Sequence, residues 1–311
     1  MSALKSFTDS GWQHAWDATS VSAYEKCPRF YKLRHLDGWQ PRNRSEHLTF
    51  GGVFASALES FYKLLAADMP REDALRQVTR EALAATWLYD IDPETGEASG
   101  GHPWLSLHAS KTRETLIRSI VWYIDHFEND ATEIVTLANG KAAAELSFSV
   151  PLSDDLLYCG HIDRLVNYSG GKYVMDQKTT GTTITPRFFE AFKPDVQMGG
   201  YTWAGKQIFD LPVSGVIIDA VQIAVGFTRF QRGFVPYPEP LLDEWLANTL
   251  HTISEAKRSH EESNYPMRRT SCGNYGGCEF RRVCSRIPHH RDNILHSEFE
   301  RAPRWDPLQR R

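Results

Sequence analysis

The residues best placed to do chemistry are Asp163, Asp176 and Lys178, in the stretches GHIDRLV and YVMDQKTT on either side of a Ser-Gly-Gly turn. Each stretch is a short apolar run that carries charge where a plain hairpin has no need of it. A two-residue turn at Gly170-Gly171 places Asp163 opposite Lys178 and Leu165 opposite Asp176. Strand side chains alternate, so Asp163, Asp176 and Lys178 share one face. Glu145 lies on the preceding run, AELSFSVPL, and a similar count brings it close to Asp163, although a slip of one residue turns it to the other face. Such a group suits hydrolysis at phosphorus. Mg²⁺ takes oxygen ligands, keeps several waters and accepts one or two carboxylates. It polarises a phosphoryl oxygen and lowers the pKa of the attacking water. A neighbouring lysine positions that water or offsets the charge growing on phosphorus. Taken alone, the three residues also fit a solvated hairpin face with a weak ion pair.

The elements around the hairpin follow from periodicity. TSVSAYEKCPRFYKL predicts a helix capped by Thr19 or Ser20. GGVFASALESFYKLLAAD predicts a second, opened by Gly51-Gly52, and two more amphipathic stretches continue to residue 128 around a polar loop at 93–104. From about residue 143 the texture becomes β-rich, with three short runs separated by Ser-Asp-Asp and Ser-Gly-Gly turns. A helix follows in PDVQMGGYTWAGKQIF, then a strand in PVSGVIIDAVQIAVG. A last helix, EPLLDEWLANTLHTISEAKRSH, stripes Leu241, Leu242, Trp245, Leu246, Leu250 and Ile253 along one side. Helices, a three-strand meander, helix, strand and helix predict an α/β core with an N-terminal helical layer folded onto it. We divide the chain into a helical region at 1–142, a core at 143–270 and a cysteine-rich segment with a polar tail at 271–311, packed as one unit.

Composition sets the outer bounds. The chain has 311 residues, 41% of them hydrophobic and 24% charged, with a formal net charge of −4. That is ordinary globular usage, and it excludes a grossly basic coat protein while leaving nucleic-acid binding open. No apolar run approaches a membrane span and the first residues lack a secretory pattern, so the expected location is cytoplasmic. The five cysteines are Cys27, Cys159, Cys272, Cys278 and Cys284, an odd number that argues against a disulfide framework.

The two hairpin stretches resemble the paired motifs of the PD-(D/E)XK nuclease superfamily, and its RecB-like exonuclease branch, common in phages and bacteria, is the nearest in pattern. The resemblance covers about residues 19–286. It implies a restriction-endonuclease-like fold, with Asp163 as the first metal-binding acid and Asp176 and Lys178 as the (D/E)-x-K element. Glu145 takes the place of the acid on the first strand. Downstream, QMGGY is similar to the family's Q-x-x-x-Y helix, with Gln197 and Tyr201 one turn apart on one face. The implied cofactor is Mg²⁺ or Mn²⁺ and the implied partner is DNA. One departure stands out. The family carries a histidine ligand after the Phe-Gly of its N-terminal helix, and FGGVFASALE has Ala55 there. His161, two residues before Asp163, is a possible substitute.

Cys272, Cys278 and Cys284 crowd into one short polar segment, with Cys27 far upstream. The pattern resembles the iron–sulfur staple of several nucleases of this group, in which four cysteines hold a [4Fe–4S] cluster and tie the chain ends together. Gly276 and Gly277 would give the loop beside Cys278 its freedom. Zinc held by four thiolates is the alternative, though its usual short C-x-x-C knuckles are absent. Cys159 reads as a core residue. Arg29, Lys32, Arg34, Arg281, Arg282 and Arg286 are candidate DNA contacts.

These readings combine into a metal-dependent DNA exonuclease of recombination, repair or end processing, acting on single-stranded or free ends. Two alternatives stay open: a catalytically idle DNA-binding module of the same fold, and an end-trimming subunit of a recombination or CRISPR-adaptation complex.

Overall fold

The sheet is built outward from the strand that carries Asp163. The computed structural model describes residues 5–42, 45–92, 94–137, 139–208, 213–274 and 277–309. Seven strands form one mixed sheet: β1 (Ala15–Trp16), β2 (Glu133–Ile134), β3 (Ala144–Ser153), β4 (Leu156–Tyr168), β5 (Gly171–Thr180), β6 (Val213–Ile223) and β7 (Thr228–Pro236). The order is β1-β4-β5-β6-β7, with β2 and β3 also pairing with β4. The β1–β4 and β5–β6 pairs are parallel and the remaining pairs are antiparallel. The result is a central mixed sheet flanked by helices, consistent with a restriction-endonuclease-like core.

Alternation on β6 shows how the two faces are used. Val216, Ile218 and Ala220 pack under α5 (Val196–Ile208) and α6 (Glu239–Glu261), meeting Met198, Tyr201, Ala204, Leu242 and Trp245. Val221 and Ile223 face the other way, against α2 (Glu46–Ala66), α3 (Arg71–Ala85) and α4 (Arg113–His126). A strand covered on both faces has no polar side, which is why this one reads as a nearly unbroken apolar run.

The helix starts differ from the sequence reading. The first helix, α1 (Ala18–Lys26), is capped by Asp17 rather than Thr19 or Ser20. Asp17 and Ser20 form a reciprocal capping box. It ends at Cys27, whose backbone is extended (φ −171°), because Pro28 disfavours a helical residue before it. A new helical turn then restarts at Pro28. Helix α2 begins at Glu46, so Gly51 and Gly52 lie inside it rather than opening it. Gly51 is there for close approach: a Cβ on it would stand 3.3 Å from Thr179 Oγ1. Strand β7 went unrecognised in FTRFQRGFVPYP because its glycine, proline and arginines resemble loop composition. The edge of a sheet tolerates all three.

The tail folds back on the N-terminal region. Phe299–Arg301 pairs antiparallel with Trp39–Pro41, and Leu295 and Phe299 pack with Leu33, Trp39 and Phe280. Trp305 N–H donates to the His35 carbonyl at 3.0 Å.

Helix α5 sits close on its neighbours through two adjacent glycines. A Cβ at Gly199 would meet the Trp245 ring at 2.4 Å, and one at Gly200 would meet Tyr158 Oη at 1.9 Å. Gly200→Ala should therefore lower stability by roughly 1–3 kcal/mol through overpacking. Chemical denaturation checks this. A neutral result would mean that α5 can back away from the sheet at no cost.

Candidate active site

The hairpin turn is Ser169-Gly170, with φ of 46° and 79°, one residue earlier than the sequence suggested. Leu165 therefore faces Val174, and Arg164 faces Met175. The predicted pairs Asp163–Lys178 and Leu165–Asp176 do not form. The register is shifted by two residues, an even step that leaves each side chain on its expected face. The β4–β5 ladder stops at Arg164 and Met175, while β5 stays paired to β6 as far as Thr180. The two strands thus part just where Asp163 and Asp176 stand. Across this fork, the main-chain N–H of Gln177 donates to Asp163 Oδ2 at 3.0 Å.

From the fork a polar chain runs into α5. Lys178 Nζ lies 2.7 Å from Asp176 Oδ2 and donates to Gln197 Oε1 at 2.9 Å. Gln197 Nε2 in turn donates to Tyr201 Oη at 2.8 Å. Asp176 is 2% exposed and Tyr201 is buried. The helix that places Gln197 is started by Asp195, whose Oδ1 accepts the N–H groups of Gln197 and Met198 at 2.8 and 2.9 Å. Tyr237 Oη accepts the Asp195 N–H at 2.9 Å. Asp195 was missed in the sequence, although Asp-x-Gln ahead of an apolar run is a helix-start signal.

The electrostatics of the fork are unfavourable to two bare carboxylates. Burial, and then Asp163, push the Asp176 carboxyl up to about 7, with Lys178 acting against them. Burial also raises Asp163, against the Gln177 N–H, Lys178 and Arg164, while Glu59 on α2 adds to the rise. Burial pulls Lys178 down, but Asp176 and Asp163 more than reverse it, so its ammonium is held charged. Glu59 was also missed; helical spacing shows only that it lies one turn beyond Ala55.

The donor set fits a divalent cation. Asp176 Oδ2 is buried and faces the Lys178 ammonium at 2.7 Å, yet its carboxyl is still raised by burial and by Asp163. Two carboxylates suffice for Mg²⁺, with waters completing its shell. Among the described residues no three His, Cys, Asp or Glu side chains are gathered as one metal-holding group. Glu145, with a left-handed φ of 49°, lies between the pairs Ala144–Arg164 and Leu146–Ile162 and so in line with Asp163. It does not close a three-acid cage. Ala55 is half-buried on α2 and brings no donor. His161 Nδ1 shares a 2.9 Å hydrogen bond with Ser147 Oγ.

The four cysteines named from spacing line one small pocket, together with Lys26, Phe30, Arg268 and Arg281. All are free thiols. The N–H of Arg268 donates to Cys27 Sγ at 3.3 Å. Burial raises the Cys278 and Cys284 thiols, with Lys26 and Arg29 acting against it. Cys159 is elsewhere, buried against Ser149 and pushed up to about 11. Gly277 has φ 106°, and Gly276 lies outside the described residues.

The model of the PD-(D/E)XK nuclease superfamily matches residues 15–285. The chain belongs to that superfamily. A PD-(D/E)XK nuclease is metal-dependent, usually through Mg²⁺ or Mn²⁺, and the fold points to DNA as substrate. Among solved structures, the chain is similar to that of SSO0001, at 13% identity over 76% of each chain with a TM-score of 0.30. No curated protein matches. Among the described residues, no helix is long and apolar enough to cross a membrane.

Asp176 yields a pH prediction. A carboxyl raised in the folded state contributes stability that is complete below its unfolded value, near 3.8, and is lost as pH climbs through about 7. In chelator, wild type should lose on the order of a few kcal/mol relative to Asp176→Asn between about pH 4 and pH 8. Thermal melts of both proteins across that range measure the difference. A constant difference would remove the claim that Asp176 is strained without its cation.

Proposed function

We propose that this PD-(D/E)XK protein is a RecB-like DNA exonuclease that hydrolyses phosphodiester bonds from single-stranded or free ends during recombination, repair or end processing in the cytoplasm. The observation that carries the reading is the unbroken chain Asp176–Lys178–Gln197–Tyr201 beside Asp163 at the strand fork. Asp163 and Asp176 are the residues that would hold Mg²⁺ or Mn²⁺, with Glu145 within one strand of them. Bound there, the cation would supply Lewis-acid stabilisation of the phosphoryl oxygen and a more acidic water.

The protein's own groups do the rest. Lys178, held charged by the two acids, presents its ammonium beside the metal-side oxygen of Asp176, where it positions the attacking water or meets the charge growing on phosphorus. Gln197 fixes the ammonium by accepting a hydrogen bond from it. Tyr201, raised well above the usual phenol value by burial and the two acids, stays neutral and anchors the Gln197 amide. Removing Gln197 should leave the Lys178 ammonium held by the acids alone and loosen its position relative to a bound metal.

A [4Fe–4S] cluster is the second cofactor of this reading, supported by the four cysteines lining one small cavity, although among the described residues their thiols are not gathered as a metal-holding group. Lys26, Arg268 and Arg281 line the same cavity and would balance thiolate charge. Such a cluster would join the break at Cys27 to the Cys272–Cys284 segment and reinforce the strand pair at Trp39–Pro41 and Phe299–Arg301.

On linear end-labelled DNA with Mn²⁺, Asp176→Ala and Lys178→Ala should each slow cleavage by orders of magnitude, equivalent to several kcal/mol of lost transition-state stabilisation. Gln197→Ala should slow it less and raise the metal needed for half-maximal rate. Covalently closed circles should resist all the proteins. Wild-type cutting rates in both the Asp176 and Lys178 variants would displace the site, and rapid cutting of circles would displace the exonuclease assignment.

Anaerobically purified wild type should be brown and carry about four irons. Cys27→Ala should lose iron and solubility together, and Cys159→Ala neither. Stoichiometric zinc without iron would replace the cluster with a single-ion site.

A further inference from the structure

Lys111 is a lysine with no ionic partner in a place where water is scarce. Its side chain is 2% exposed, and its ammonium lies 4.5 Å from the centre of the Phe50 ring. No carboxylate or carbonyl among the described residues accepts from it. A ring face offers a cation far less than water does, so burial pulls this lysine down to about 8, still charged at neutral pH. A leucine or methionine would fill the same space without that cost.

The surroundings of Lys111 are those of an anion site. Phe50 lies in the second turn of α2, a helix of 21 residues whose N-cap, Ser45, makes no side-chain cap hydrogen bond. The first amides of such a helix favour negative charge. His47 in the first turn stands with its ring 4.8 Å from that of His108, and Lys111 bears on His47 electrostatically. The acid present, Glu46, is turned to the loop, accepting the N–H groups of Leu107 and His108 at 2.8 and 3.1 Å. The position relative to the fork is set by Gly51, next to Phe50, which packs on Thr179, the residue after Lys178. Lys111, over the Phe50 ring, is therefore one residue of α2 away from the point where that helix meets the strand carrying Lys178.

We propose that Lys111, with His47, His108 and the open first turn of α2, binds a non-scissile backbone phosphate of the nucleic acid as it passes the strand fork. This assignment rests on the nuclease reading and adds to it a contact that positions the strand. A phosphate there would give the ammonium its missing partner and the helix its missing cap. Lys111 is thus a positioning residue with no part in the bond-breaking step.

The test compares wild type with Lys111→Met in chelator, so that nothing is cut. A fluorescein-labelled oligothymidine is the probe, titrated at several salt concentrations, and both proteins are melted without it. Losing one phosphate contact should weaken binding several-fold and lower the slope of log Kd against log salt by about 0.7 to 0.9. The free variant should melt at or above the wild-type temperature, since an unpaired buried charge has gone. Equal affinity and slope, or a lower melting temperature, would overturn the proposal and return Lys111 to a packing role. Wild type that binds no oligonucleotide would overturn the nuclease reading itself, and this assignment with it.

Discussion

Everything at the site depends on the parting of β4 from β5, and a buried ion pair holds that parting in place. Arg164, the last residue of β4 paired to β5, turns to the face opposite the acids. Its Nη2 donates to Asp219 Oδ2 on β6 at 2.9 Å and to Tyr123 Oη on α4 at 3.2 Å, and its guanidinium lies 4.5 Å from the Tyr62 ring of α2. Arg232 on β7 reaches the other Asp219 oxygen at 3.4 Å and pairs with Asp130. One side chain beside Asp163 is thereby tied to two strands and two helices. Buried pairs of this kind add little net stability, but losing one partner strands the other without solvent. Their use here is positional, because β4 cannot slide along β5 without pulling Arg164 away from Asp219.

With the fork fixed on one face, the opposite layer can bring in the polar chain. Helix α5 must lie close enough for Gln197 to reach Lys178, and the adjacent Gly199 and Gly200 remove the atoms that would keep it away from Trp245 and Tyr158. Asp195 starts the helix and, through its charge, raises Asp176 and Lys178 a little further. Hydrogen bonds and charges in such a dry place are strong when satisfied and costly when not. Asp176 is raised by burial and by Asp163 even with Lys178 at 2.7 Å, and it is there that a cation has the most to gain.

The grouping of the candidate residues was legible in the sequence because it is local. Asp163, Asp176 and Lys178 survive a turn misplaced by one residue, since the resulting shift of two returns each side chain to the same face. Gln197 and Tyr201 survive because a helix turn is a rigid ruler. Glu59, Arg164 and Asp219 were not legible. Each takes its meaning from a partner on another element, and spacing says nothing about which elements will meet. Strand β7 and the Asp17 cap failed for a different reason: edge strands tolerate loop-like composition, and several polar residues in a row could each serve as the cap.

Helix α2 shows most plainly how one element serves two purposes. Its first turns bring His47 and Phe50 up to Lys111, and Gly51 seats it on Thr179. Further along it carries Ala55, Glu59 and then Tyr62, which stacks on Arg164. The helix therefore crosses the hairpin from the end of β5 to the anchoring arginine. Ala55 brings no donor to this crossing, while Glu59 adds negative field at Asp163. Both features act in the same direction. They leave the two strand carboxylates more dependent on the charge of a bound cation and less on donors from the helix, which favours a small, hard, oxygen-seeking ion that brings its own waters.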